Sequence, residues 1–177
     1  IARESGAEVP FLRSAEAALD NAMEQDILQD LREKFRLSDI AEPDLLVWLR
    51  PTFIFRSVED VEACVQMLVK DSAVSASRTV ISAENRLYTL SKGFLSADFD
   101  DLGKSMIRRQ DMVSSYKVFS MDVIRFKGNK FDDAFLGSSV GAVVTDSICG
   151  LDIDDIFDFT LVKLLVENAK ELVNEYL

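Results

Sequence analysis

Asp44-Leu45-Leu46-Val47-Trp48-Leu49, set between Pro43 and Pro51, decides the fold. A continuous apolar run this short, closed on both sides by proline, suits a strand buried on both faces, as in a parallel sheet covered by helices. Proline has no N–H to donate to a ladder and marks where the strand stops.

Toward the N-terminus, Ala17, Leu19, Met23, Ile27, Leu28, Leu31 and Phe35 recur at helical spacing among acids and amides, which predicts an amphipathic helix from Ser14 to Phe35. Ala7 to Leu12, interrupted by Pro10, reads as an edge strand or extended turn. Ile1 to Gly6 reads as the last turn of a helix closed by glycine, its beginning lying ahead of Ile1. Toward the C-terminus, Ser57 caps a second helix with Val58, Val61, Val65, Leu68 and Val69 on one stripe. Val74–Ser77 and Thr79–Ile81 are extended, and residues 82–115 are irregular, with Tyr88, Phe94 and Phe99 scattered through them. Tyr116–Phe126 and Val140–Thr145 have strand composition. Leu151–Asp154 leads into a helix predicted from Asp155 to Tyr176, with Phe159, Val162, Leu165, Val166, Ala169 and Val173 apolar. Strands alternating with helices predict a single three-layer α/β domain over residues 1–177.

The composition narrows the function. Twenty Lys and Arg against 31 Asp and Glu give a formal charge of -11, so a polyanion such as nucleic acid is an unfavourable partner. A local pair of arginines can still hold a small anion within about 10 Å, roughly one Debye length. The chain has no histidine, which removes histidine-dependent triads, and Cys64 and Cys149 form no CxxC pair, which removes the usual zinc sites. Two reduced, buried thiols are expected. No apolar run approaches the roughly 20 residues that span a bilayer, so no membrane partner is expected and the cytoplasm is the expected compartment.

Three groups of residues can carry chemistry. Asp152 and Asp154 are two apart, so in an extended segment both carboxylates leave one face and can hold Mg²⁺, an ion that takes one or two carboxylates and completes its shell with water and phosphate. The same region can instead cap and complement the helix that follows, through Asp154, Asp155 and Asp158, and spacing alone favours that capping reading. Arg50, directly after the decisive strand, sits where open α/β sheets bind ligands and offers planar donors to phosphate or carboxylate. Arg56 can offer the same donors, or one of the two arginines, Arg56 before Arg50, can instead pair with an acid such as Glu59 to fix the loop. Arg109 and Gln110, after Arg108, combine charge for a carboxylate with an amide for hydroxyls, a set suited to a sugar acid or to plain surface charge.

Together and in order, these pieces resemble a known family. Gly6-Ala7-Glu8-Val9-Pro10-Phe11-Leu12-Arg13, Arg50-Pro51-Thr52, Arg109-Gln110 ahead of Tyr116, and Leu151-Asp152-Ile153-Asp154 with Asp158-Phe159 are similar to the motifs of the acylneuraminate, or CMP-nonulosonate, cytidylyltransferases. The resemblance implies a Rossmann-like nucleotide-diphosphosugar-transferase fold with a mainly parallel mixed sheet, incomplete at its N-terminus. It implies transfer of CMP from CTP to the anomeric hydroxyl of sialic acid or a related sugar acid, with release of pyrophosphate. Asp152 and Asp154 match the catalytic, metal-binding aspartates, with Mg²⁺ as cofactor. Arg109 and Gln110 match the sugar-side pair, and Arg50 stands where the family has a sugar-contacting glutamine. The resemblance also implies a homodimer, with residues 82–115 as the candidate dimerisation region.

Besides Arg50, the chain departs from the family in three further places. Phe119-Ser120-Met121 replaces asparagine, glycine and alanine, and Phe53-Ile54-Phe55 replaces serine, proline and leucine. The family's strand and glycine-rich loop that cradle the CTP phosphates precede Ile1, so the chain as written is expected to be inactive alone. Two other readings remain: a non-catalytic homologue that keeps the dimer surface, and a sugar-acid-binding module that works without nucleotide.

Overall fold

A computed structural model of the chain describes residues 1–104, 106–118 and 120–176. Ile1–Gly6 is a helical turn closed as the sequence implies. Gly6 takes a left-handed φ of +88°, Gly6 N–H bonds the Arg3 carbonyl at 3.0 Å, and Ala7 N–H reaches back to Ala2 at 3.0 Å. The following segment is extended but unpaired, and Phe11 is held edge-on to Phe35 at 5.6 Å.

The helix expected from Ser14 is broken. A 3-10 turn covers Glu16–Ala18, and α1 spans Glu24–Leu37. The break has a local cause: Ser14 Oγ accepts the Ala17 N–H at 3.2 Å, Leu19 turns extended, and Asp26 accepts the Met23 N–H at 2.9 Å to start α1 afresh. Leu19 and Met23 are consequently exposed, and the buried stripe runs through Leu28 with Leu31 and Phe35 beside it.

β1 (Leu45–Leu49) leads through a loop into α2 (Val58–Lys70), capped by Ser57, whose Oγ accepts the Asp60 N–H at 3.2 Å. Cys64 and Leu68 form its buried face, whereas Val58 and Val69 lie outside. β2 (Ala76–Ala83) follows, then β3 (Tyr88–Ser91) and β4 (Phe94–Ala97), a hairpin turning on Lys92 and Gly93, both at positive φ. β5 (Ser115–Lys117), β6 (Met121–Arg125) and β7 (Val140–Val144) precede α3 (Ile156–Asn168) and the short α4 (Lys170–Val173). The single long C-terminal helix expected from the sequence is thus interrupted at Ala169, whose φ of -127° and ψ of 43° are not helical.

The strand order is β1-β6-β2, with β7 on the far side of β2 and β5 continuing along it. β1 pairs antiparallel with β6, β6 antiparallel with β2, β5 antiparallel with β2, and only β7 runs parallel to β2. The expectation of a mainly parallel sheet is therefore corrected: the sheet is mixed, with most of its pairings antiparallel. β1, α2 and β2 form a crossover unit, but β6 returns from the hairpin region in the opposite direction and inserts between the two strands. β1 lies at the edge of the described sheet, with Val47 and Leu49 partly open, so it is not buried on both faces.

Three layers do form. Leu46 and Trp48 pack with Leu28, Ile124, Phe126 and Phe131 on the α1 face. Leu45 and Val143 pack with Met121, Val123, Cys64 and Leu68 on the α2 face. A third cluster, Phe55, Val162 and Val173, seats α3 and α4 against Ile148, Leu151 and Ile153. Between β5 and β6 the register slips: Ile81 faces Lys117 and Arg78 faces Asp122, so three steps of β2 oppose five of its partner. Ser120 lies in that slip, buried and hydrogen-bonded to Thr79 at 2.5 Å, while Phe119 falls outside the described residues. Among the described residues no helix is long and apolar enough to cross a membrane.

Candidate functional site

β1, β2 and β7 share a direction, so their carboxyl ends line one edge of the sheet. The loop after β1 carries Arg50, Pro51 and Thr52. A 3-10 turn, Ser147–Gly150, and the segment Leu151–Asp154 follow β7. Ile153 N–H bonds the Thr52 carbonyl at 3.1 Å, which ties the aspartate segment to the Arg50 loop. Gly150 packs on Ile81 so tightly that an added Cβ would stand 2.1 Å from Ile81 Cδ1. Just beyond Ile81, Arg109 Nη2 donates to Ser82 Oγ at 2.7 Å and to the Ala83 carbonyl at 3.4 Å. The three groups singled out in the sequence are thus strung along one edge, each anchored to the next strand or loop.

The acids divide the work. Asp155 caps α3, accepting from the Phe157 and Asp158 amides at 2.7 and 3.0 Å. Asp158 completes the box by accepting from the Asp154 and Asp155 amides at 3.1 and 3.2 Å. Asp154 therefore contributes only its backbone, and its exposed carboxylate has no hydrogen-bond partner among the described residues. Asp152 Oδ1 is buried without a partner. A carboxylate oxygen removed from water and left unmet is costly, and a hard cation is the chemistry that relieves it. That oxygen is chemically suited to a hard cation, and among the described residues no group of three or more acids or thiols gathers around it.

Arg50 is not a free donor. Its Nη2 lies 3.2 Å from Asp122 Oδ2, its Nη1 lies 3.3 Å from Glu24, and its guanidinium sits 5.1 Å from the Trp48 ring centroid. Asp122 is buried in β6, directly opposite both Trp48 and Arg78, and its second oxygen takes Arg78 Nε at 2.5 Å. One buried carboxylate thus holds two guanidiniums. Arg56 does not pair with Glu59 as expected: its Nη2 donates to the Arg50 carbonyl, and burial pushes its pKa down from the usual arginine value. Glu59 instead accepts from Ser57 Oγ at 3.1 Å. The loop is fixed through Arg50 and Asp122, and Arg56 ties its backbone.

Arg109 is exposed, and its Nε and Nη1 are unpartnered among the described residues, as is the Gln110 amide. Arg108 points elsewhere, into a side-on pair with Asp111 at 2.9 and 3.1 Å. Sequence reading missed Asp122, Arg78 and Lys117, whose ammonium lies 5.6 Å from the Phe53 ring centroid. The signal for Asp122 was present: an acid inside the apolar strand Met121–Arg125 must be paired.

Space and chemistry only partly coincide. The crevice among Phe53, Thr79, Ile81, Lys117, Ser120 and Gly150 holds about 10 Å³, no more than a water. A cleft of about 470 Å³, which shares none of those lining residues, lies between Ser57, Asp60, Thr145, Asp146, Glu175 and Tyr176. There Tyr176 donates to Asp146 at 2.7 Å, which raises the phenol's pKa above its ordinary value. A third, of about 240 Å³, lies along β1 between Phe11, Arg13, Asp30 and Trp48.

The architecture is that of a three-layer α/β domain with a candidate ligand edge at the carboxyl ends of three strands. No family model and no curated protein matches the chain. Among solved structures it is similar to one described as CMP:2-keto-3-deoxy-manno-octonic acid synthetase complexed with CTP, at 12% identity over 80% of this chain and 68% of that chain, with a TM-score of 0.48.

Proposed function

We propose that this chain belongs to a nucleotidyltransferase that moves CMP from CTP to the anomeric hydroxyl of an acidic sugar. The anomeric oxygen bonds to the α-phosphorus as the bond to the β-phosphate breaks, so pyrophosphate leaves and the hydroxyl proton is released. The observation that carries the reading is the unmet Oδ1 of Asp152, buried beside an Ile153 backbone tied to the Arg50 loop. Its neighbour Asp154 is spared from capping by Asp155 and Asp158. Asp152 and Asp154 would hold Mg²⁺, which supplies charge neutralisation for the triphosphate and the departing pyrophosphate.

The other residues bind and orient. Arg109, anchored through one nitrogen to Ser82, keeps donors for the substrate carboxylate, and Gln110 offers an amide to its hydroxyls. Arg50 is preset by Asp122 and Trp48, and its longer contact, to the partly exposed Glu24, is the one an incoming carboxylate would take over.

A homodimer through residues 82–115 is part of the proposal. Both strands of the β3–β4 hairpin are exposed along nearly their whole length, with Leu90 68%, Phe94 77% and Leu95 68% accessible. A two-stranded ribbon has little stability of its own, and one this apolar is stabilised by a cover. The deciding experiment is pyrophosphate release from CTP by the whole gene product, across sialic, legionaminic, pseudaminic and octulosonic acids. Release with one of them, lost in Asp154→Asn with circular dichroism unchanged, is the expected result, and no release with any of them refutes the proposal.

A non-catalytic subunit is the second reading, favoured by the 10 Å³ crevice at the candidate edge. It predicts dimerisation and no turnover. A sugar-acid-binding module predicts heat of binding without CTP or Mg²⁺ in a calorimeter.

A further inference from the structure

Lys117 ends β5 directly opposite Ile81 of β2. Residues paired in this way send their side chains from the same face of a sheet, and Ile81 is covered by Gly150. The Lys117 side chain therefore leaves the β2–β5 ribbon on the face where the Ser147–Gly150 turn leads into Asp152 and Asp154. Ser82, one step along β2, turns to the other face, and there it holds Arg109. The ribbon thus separates two cations, and Lys117 is the one that shares a face with Gly150.

The ammonium is held in place without being neutralised. It lies 5.6 Å from the centroid of the Phe53 ring, which is itself buried. Phe53 N–H donates to the Arg50 carbonyl at 3.2 Å, and the neighbouring Thr52 carbonyl takes the Ile153 N–H at 3.1 Å. The ring beneath the ammonium is therefore next in sequence to the residue that fixes Ile153 between the two aspartates. A ring face orients a cation but leaves its charge intact. Among the described residues Lys117 has no ion pair, although the chain carries 31 Asp and Glu against 20 Lys and Arg. The crevice that Lys117 lines is too small to admit a ligand, so a ligand lies across its mouth, where this exposed side chain stands.

The two cations differ in what they suit. A planar guanidinium matches a carboxylate, whereas an ammonium is a compact charge that any of several phosphate oxygens can meet. We infer that the Lys117 ammonium binds the phosphates of the nucleoside triphosphate that leave as pyrophosphate, while Arg109 serves the sugar acid. Lys117 supplies charge and hydrogen bonds and transfers no proton. The inference takes the identity of the anion from the proposed nucleotide transfer.

The test is calorimetric titration of the purified chain with inorganic pyrophosphate and Mg²⁺. Lys117→Met is expected to weaken binding by about ten-fold or more, the loss of one charge-assisted contact, and Lys117→Arg to keep most of it. Lys127→Met removes an exposed lysine beyond the far end of β6 and is expected to leave binding unchanged. Because Lys117 is exposed, circular dichroism of both variants should match that of the parent chain. No binding by the parent chain, equal affinity in Lys117→Met, or an equal loss in Lys127→Met each overturns the inference. Binding that depends on Lys117, with no pyrophosphate released from CTP by any sugar acid, leaves it standing and rejects the sugar-acid transfer. Turnover with an unchanged KM for CTP in Lys117→Met rejects the inference alone.

Discussion

Asp122→Asn strikes a carboxylate that binds two strands and a loop together. The side chain of Asp122 is 3% exposed, and those of Arg50 and Arg78 are 19% and 18% exposed. Asparagine keeps the shape and one acceptor but removes the charge, so two guanidiniums face each other across a neutral amide. Breaking a buried ion pair by removing one partner costs about 3–5 kcal/mol. The arginines keep part of their surface in water, which places the expected loss at the low end, about 3 kcal/mol. For a chain of this length that corresponds to a melting temperature lower by roughly 6–12 °C. The assay is urea unfolding followed by circular dichroism, at low and high salt, because a buried pair is screened little. Repeating the substitution in an Arg78→Met background should reduce its cost, since one of the two guanidiniums that Asp122 neutralises is gone. A loss below about 1 kcal/mol, the cost of a surface pair, would refute the claim that Asp122 fixes the Arg50 loop.

Further outcomes follow from the same geometry. Millimolar Mg²⁺ should raise the melting temperature of the chain, and Asp152→Asn should abolish that rise; an equal rise in the variant removes the metal assignment. Burial pushes the Cys64 thiol up to about 11 and Cys149 in the same direction, so neither should react with a thiol reagent at about pH 8 until urea is added. Because the folded values are raised, this stability is complete below the unfolded thiol value of about 8.5. It is lost as pH climbs through the folded value, so the urea midpoint should fall between those limits. Gly137→Ala should cost about 1–3 kcal/mol, because Gly137 has a φ of +74° and its Cβ would stand 2.5 Å from Ser75 Cβ, which Ser139 pins. Gly128→Ala, at a φ of +77° but in open space, should cost less by the same denaturation measurement.

Local features were legible because they are written in neighbouring residues. Gly6 closing a turn, Ser57 capping α2 and the strands around Val47, Val80 and Val143 all follow from spacing and cap chemistry. The break at Leu19–Met23 was hidden because apolar periodicity runs on through it, while the cause lies in Ser14 and Asp26 side chains that compete for backbone amides. The β3–β4 hairpin was hidden because Lys92-Gly93 is a weaker turn signal than asparagine or aspartate before glycine, and its strands lack alternation. Strand order is not a local property at all. β6 inserts between β1 and β2 through contacts such as Trp48 opposite Asp122, which no window along the chain contains.

The candidate site turns on how four nearby carboxylates divide two tasks. Spacing alone allowed Asp154, Asp155 and Asp158 to be helix caps, which would have left nothing for chemistry. A helix start has few amides to satisfy, however, and here Asp155 and Asp158 satisfy those of residues 154, 155, 157 and 158 between them. The capping box is therefore formed without the carboxylate of Asp154 and without the side chain of Asp152. The buried Oδ1 of Asp152, which lacks a hydrogen-bond partner among the described residues, carries a desolvation cost, whereas the exposed carboxylate of Asp154 stays in water. Such a cost points to a bound state in which it is relieved, and the edge formed by the Arg50 loop and Arg109 is where a cation and an anionic substrate would relieve it together.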